Sequence, residues 1–180
     1  SGLSGGSMNL ISTQTASSSS TISFTSGIDS TYDEYVFKFY DIHPATDTAS
    51  FEFNFSIDGG SNYNVTKTST YFTAYHDEED QNAGLVYDGA SDLAQSTSFN
   101  TVMNNLSADA DHQGSGTMHL FNPASTTFVK HFIIRTQNAV APDSGTNNFS
   151  QDQYIAGYGN ITSAVNAVQF KYLGGNIDSG

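Results

Sequence analysis

The densest chemistry in the chain is His76-Asp77-Glu78-Glu79-Asp80, an imidazole and four carboxylates in five residues. Such oxygen-rich runs suit hard cations, calcium above all. Adjacent side chains diverge, so a cation held by Asp77, Glu78 and Asp80 needs further ligands from elsewhere in the fold. An exposed acidic loop is the competing reading. A second run, Asp109-Ala110-Asp111-His112-Gln113-Gly114, imitates the opening of a calcium loop, with oxygens at alternate positions and a glycine at the turn. Its fifth position is Gln113 and its twelfth is Leu120, where a bidentate Glu is required, so it is not an EF-hand. Asp109 and Asp111 remain as ligands for calcium in another geometry or as the solvated tip of a hairpin. No other cofactor is expected.

Catalytic patterns are thin. Gly2-Leu3-Ser4-Gly5-Gly6 matches the nucleophile elbow in letters, but no strand precedes it and no helix follows. Glycoside hydrolysis needs two carboxylates about 5–10 Å apart in a cleft. Glu34 and Glu52 are the natural seeds, yet each fits the wet face of a strand. With no cysteine there is no thiol nucleophile, disulfide or thiolate zinc site. A non-enzymatic chain is expected. Sugar binding by stacking is the other chemistry available, because a tyrosine ring presents a flat apolar face with a hydrogen-bonding tip. Tyr71, Tyr75, Tyr87, Tyr154 and Tyr158 fall near expected strand ends or loops and are the candidates, against a role in the core or an interface. The sequons at Asn54, Asn64, Asn105, Asn148 and Asn160 are expected by chance in so Asn-, Ser- and Thr-rich a chain.

The elements that must position these residues are strands. Thirteen Phe and ten Tyr stand in a background of Ser, Thr, Asn and Gly, which favours strands and turns over helices. Phe51, Phe53, Phe55 and Ile57 alternate with Glu52, Asn54, Ser56 and Asp58, the pattern of a half-buried antiparallel strand. Tyr35, Phe37 and Phe39 alternate with Val36, Lys38 and Tyr40, as in a strand nearer the middle of a sheet. His43-Pro44 should end that strand, since Pro lacks the ladder N–H. Asp58-Gly59-Gly60-Ser61-Asn62 reads as a hairpin turn, and this strand pair is taken as the folding nucleus. Further strands are expected at 22–25, 69–76, 99–106, 117–121, 126–136, 154–160 and 164–173. The long excursion 81–98 holds a small strand or a helical turn near Leu85, and 137–150 is expected to be an exposed loop. Strand signals every 10–20 residues without an amphipathic helix predict an all-β, antiparallel, jelly-roll-like β-sandwich. Residues 1–20 read as a flexible Ser/Gly-rich linker or N-terminal arm with a short edge strand at 9–13, and 21–180 as the sandwich domain. The opening residues resemble an internal piece or a processed end.

Eighteen Asp plus Glu against five Lys plus Arg give a formal charge of −13, which disfavours nucleic acid and anionic lipid as partners. No apolar run approaches the roughly 18 residues of a membrane span.

Several segments together resemble a β-sandwich domain of tail-fibre and other virion structural proteins of tailed bacteriophages, marine ones especially. They are Phe24, D-S-T-Y-D-E-Y at 29–35, P-A-T-D at 44–47, S-I-D-G-G-S-N-Y at 56–63, G-T-M-H-L-F-N-P at 116–123 and A-V-N-A-V-Q-F-K-Y-L-G-G-N-I-D-S at 164–179. The likeness runs from about residue 11 to the end, and such proteins usually continue past G-N-I-D-S-G with a further strand. The resemblance implies a structural or adhesive role on a virus particle, without enzymatic activity, and carries no binding residues over. The expectation is a tail-fibre or appendage domain, homotrimeric, assembled with other virion proteins, with loops 76–98 and 137–150 facing a host surface glycan. A capsid decoration protein and a freestanding carbohydrate-binding module are the alternatives.

Overall fold

The computed structural model describes residues 8–141 and 148–180. Among them there is no helix. Thirteen strands run in chain order: β1 (Ser17–Ser19), β2 (Ile22–Phe24), β3 (Glu34–Pro44), β4 (Ala49–Ser56), β5 (Lys67–Asp77), β6 (Ala83–Tyr87), β7 (Leu93–Ser96), β8 (Asn100–Leu106), β9 (Gly114–Phe121), β10 (Lys130–Val140), β11 (Phe149–Gly159), β12 (Ala167–Tyr172) and β13 (Ile177–Ser179). They form a nine-stranded antiparallel sheet in the order β1-β13-β3-β9-β10-β11-β5-β6, with β7 also on β5, and a four-stranded sheet β2-β12-β4-β8. The two sheets pack face to face as a β-sandwich.

The two Phe-rich strands both supply the core, but not as a pair. β3 belongs to the larger sheet and β4 to the smaller, so their rings meet across the sandwich, Phe39 against Phe51 at 5.6 Å between centroids and near perpendicular. Phe170 of β12 lies beneath both, stacked on Phe51 and edge-on to Phe39. Phe53 and Phe55 reach Phe132 of β10 in the same edge-on manner. Edge-to-face contacts suit the ring quadrupole, so the aromatics add directional attraction to area burial. Gly59 and Gly60 do adopt positive φ, yet the turn they make is no hairpin: it carries the chain from the small sheet to the large one. Asp58 organises it by accepting hydrogen bonds from the Asn62 side chain, the Asn62 backbone and the Ser56 hydroxyl, which hold its carboxyl down at about 2.

The expectation that β4 is half wet fails. Glu52, Asn54 and Ser56 are buried along with the phenylalanines, while Ile57 lies past the strand end and is exposed. The polar face is roofed by irregular chain: Asn54 Nδ2 donates to the carbonyls of Tyr63 and Thr97 at 2.8 and 2.9 Å, and its Oδ1 accepts from Lys67 Nζ at 2.5 Å. Alternation shows which residues share a face; it does not show what covers that face.

β3 runs on through His43 to Pro44, opposite Ile177 of β13, because the proline sits where the ladder with β9 has already ended. Residues 9–13 form no strand; the first is β1, after Ala16. The expected loop 137–150 is partly ladder, since β10 extends to Val140 and β11 begins at Phe149, while 142–147 lie outside the described residues. The excursion 81–98 holds two strands, β6 and β7, both paired back onto β5.

Candidate functional site

The outer face of the larger sheet carries a row of side chains aligned by register. Tyr87 of β6 is opposite Phe72 of β5, Phe72 opposite Tyr154 of β11, Tyr154 opposite Arg135 of β10, Arg135 opposite Thr117 of β9, and Thr117 opposite Lys38 of β3. Directly opposed residues point to the same side of a sheet, about 5 Å apart. From Tyr87 to Arg135 the row therefore extends about 14 Å across four strands.

The rings of Phe72 and Tyr154 are stacked, 5.0 Å between centroids and 6° from parallel. The Arg135 guanidinium lies 5.0 Å from the other side of the arrangement, over the Tyr154 ring. It is held there by Asp152, which accepts from Nη2 at 2.7 Å and from Nε at 3.2 Å. Tyr154 Oη donates to the same carboxylate at 2.8 Å. The hydrogen bond from Arg135 lowers the Asp152 pKa, and the bond to Asp152 raises the Tyr154 pKa. Neighbouring rows add Leu85 opposite Ala74 and Ile133 opposite Ala156. Phe72, Ile133, Tyr87 and Leu85 are 37, 53, 59 and 69% exposed, so the face presents apolar side chains from β5, β6 and β10 among the polar Arg135, Asp152 and Thr70. It is broad and shallow because sheet faces are, and its aromatic and Arg content is that of protein contact surfaces.

The five candidate tyrosines divide. Tyr87, Tyr154 and Tyr158 are on this outer face, Tyr158 beside His131 at 6.1 Å. Tyr71 is fully buried in the core, where desolvation raises its pKa, so it can bind no sugar. Tyr75 points to the inner side of β5, edge-on to Phe149, and is likewise withdrawn from the outer face. Tyr154 is outward, but stacking with Phe72 and Arg135 occupies its ring. Only Tyr87, its hydroxyl bound by Asp92, keeps a largely free ring.

The acidic candidates are not assembled into a site. Asp77 is buried and accepts from the Gln81 backbone at 2.8 Å and Asn82 Nδ2 at 2.6 Å, which closes the β5–β6 turn. In that turn Asp80 meets His76 at 3.1 Å and Glu78 is exposed. Asp109 and Asp111 lie in the separate β8–β9 turn, Asp109 accepting through its carbonyl from His112 N–H at 2.8 Å. Among the described residues no group of three or more His, Asp or Glu side chains is placed to hold a metal.

Phe72, Arg135, Asp152 and Ile133 are the members that sequence reasoning missed. The available signal was Tyr71-Phe72: adjacent aromatics in a strand must face opposite ways, so one of them had to be outside. Register, which brings Phe72 beside Tyr154 from a strand more than eighty positions away, has no local signature.

The segments behind the family resemblance lie partly on β9, β12 and β13 and partly in turns. Tyr35 Oη is bonded within D-S-T-Y-D-E-Y, accepting from Asp29 N–H and donating to the Asp29 carbonyl, each at 3.0 Å. Asn122, at φ 44°, donates its N–H to the Asp33 carbonyl at 2.6 Å. Compared with family models, with curated proteins and with solved structures, the chain matches none.

Proposed function

We propose that this chain is a non-enzymatic structural domain of a tailed-bacteriophage virion, in a tail fibre or related appendage, contributing to assembly and host attachment. Its mechanism is burial of the outer face of the larger sheet between copies, around a threefold axis. The observation that carries the proposal is the aligned row of Tyr87, Phe72, Tyr154 and Arg135 with Leu85 and Ile133 beside it. Exposed large apolar side chains gathered on one sheet face mark interaction sites, and Tyr and Arg lead among residues that dominate interface energies. The particle assignment is supported by the resemblance, whose segments here lie in turns and on strands β9, β12 and β13 of the sandwich.

One observation favours a second reading, a carbohydrate-binding module. Tyr87 offers a largely free ring with a hydroxyl oriented by Asp92, the layout that stacks on a sugar. Light scattering on the isolated chain over a range of concentrations separates the two. A trimer is expected. A chain that stays monomeric and binds glycans on an array, with binding abolished by Tyr87→Ala, would overturn the assembly mechanism in favour of the second reading.

A further inference from the structure

Two lysines are sealed inside the sandwich. Lys130 of β10 is opposite Gly159 of β11, and Gly159 is opposite Lys67 of β5, so both lysines point inward from one row of the larger sheet. Both are fully buried. Apolar groups crowd the space between them, where a Cβ on Gly159 would lie 3.2 Å from Val65 and 3.5 Å from Phe55. Lys130 Nζ donates to the backbone carbonyls of Phe128, Ile161 and Thr162 at 2.6, 3.3 and 3.4 Å. Lys67 differs in one respect. Besides the Val65 carbonyl, its Nζ meets a side-chain carboxamide, Oδ1 of Asn54 at 2.5 Å. Asn54 is fully buried as well, and both ends of its carboxamide are held. Oδ1 accepts from the Phe55 N–H at 2.8 Å, and Nδ2 donates to the carbonyls of Tyr63, Thr97 and Ser98 at 2.8, 2.9 and 3.4 Å.

Among the described residues both acceptors of Lys67 are neutral, so burial disfavours the ammonium and lowers its pKa to about 7. A desolvated lysine amine is a nucleophile. A C=O bond is about 1.2 Å long, so Nζ lies within about 3.7 Å of Asn54 Cγ, close to the roughly 3–3.5 Å of a reacting pair. We propose that Lys67 and Asn54 join in an isopeptide bond, an amide cross-link between the two sheets. Neutral Nζ attacks Cγ of Asn54, and the Phe55 N–H stabilises the negative charge that develops on Oδ1. A proton passes from Nζ to Nδ2, the Cγ–Nδ2 bond breaks, and ammonia leaves. What remains is the Cγ–Nζ amide, formed without oxidant or cofactor. None of the polar contacts of the two side chains is with a carboxyl group that could relay the proton. The reaction therefore takes days, and the newly folded chain carries the free lysine. The bond ties β4 to β5 around residues 55–66 in a chain that has no cysteine to do so. Both partners belong to one chain, so the cross-link is independent of assembly between copies.

The test is the mass of the full chain in denaturant, before and after days at about pH 9, where the Lys67 amine is neutral. The incubated wild type is expected to lose one ammonia, and Lys67→Met to keep its full mass. Trypsin should then fail to cut the wild type after Lys67 while still cutting after Lys130, because an acylated lysine carries no charge. Chymotryptic cleavage after Tyr63 should leave the pieces that bear Asn54 and Lys67 joined. These digests use the wild type and decide the matter even where Lys67→Met does not fold. An unchanged wild-type mass would overturn the proposal. So would loss of ammonia with trypsin still cutting after Lys67, the signature of an asparagine closed on its own backbone as a succinimide.

Discussion

Lys67 is the residue whose environment departs furthest from its chemistry. Its side chain is fully buried between the sheets, with Nζ donating to Asn54 Oδ1 at 2.5 Å and to the Val65 carbonyl at 2.9 Å. Desolvation lowers its pKa to about 7. Between that value and about 10.4, the unfolded lysine holds a proton that the folded one has lost. The unfolded state then binds more protons, so stability rises with pH across this window by at most about 1.4 kcal/mol per pH unit. Below pH 7 both states are charged and the lysine adds no slope. Urea denaturation at pH 7.5 and 9.5 should show this rise in the wild type, and a smaller one in Lys67→Met. Lys130, whose pKa burial also lowers, supplies the remainder in the same direction. None of this was legible in the strand signal around Lys67, because a lysine is presumed to face water until a roof of backbone carbonyls is placed over it.

At the scale of elements, the sandwich depends on β12 as much as on the two strands that dominate the sequence. Phe170 meets the rings of Phe24, Phe37, Phe39, Phe51 and Phe53. Phe170→Ala should cost about 3–5 kcal/mol in chemical denaturation. Close strand packing gives a second prediction. A Cβ on Gly157 would fall 2.5 Å from the Thr68 carbonyl oxygen and 2.6 Å from the Phe132 ring. Gly157→Ala should therefore destabilise by about 1–3 kcal/mol, whereas Gly89→Ala, with open space around it, should change stability little. Most strands were legible because alternation and turn residues are local. Ile22 to Phe24 and the 100–106 strand are found within a residue or two. What stayed hidden was pairing: β3 and β4 read as neighbours, yet are assigned to opposite sheets by β9 and β12, far along the chain. β13 was hidden as well, since Ile177–Ser179 has one apolar residue to signal it.

For the whole molecule, the fold class followed from composition, and the working face did not. Tyr87 and Tyr154 were selectable as aromatics, but their shared face, and the membership of Phe72, Arg135 and Ile133, arise only once four strands are in register. The central claim is that this face, and no other exposed apolar residue, holds copies together. Sedimentation equilibrium of three proteins tests it most directly: the wild type, Ile133→Ser on the face, and Phe128→Ser, exposed before β10 and outside the register rows. The account predicts trimeric mass for the wild type and Phe128→Ser, and a shift toward monomer for Ile133→Ser. Equal masses for all three proteins, whether monomer or trimer, would contradict it.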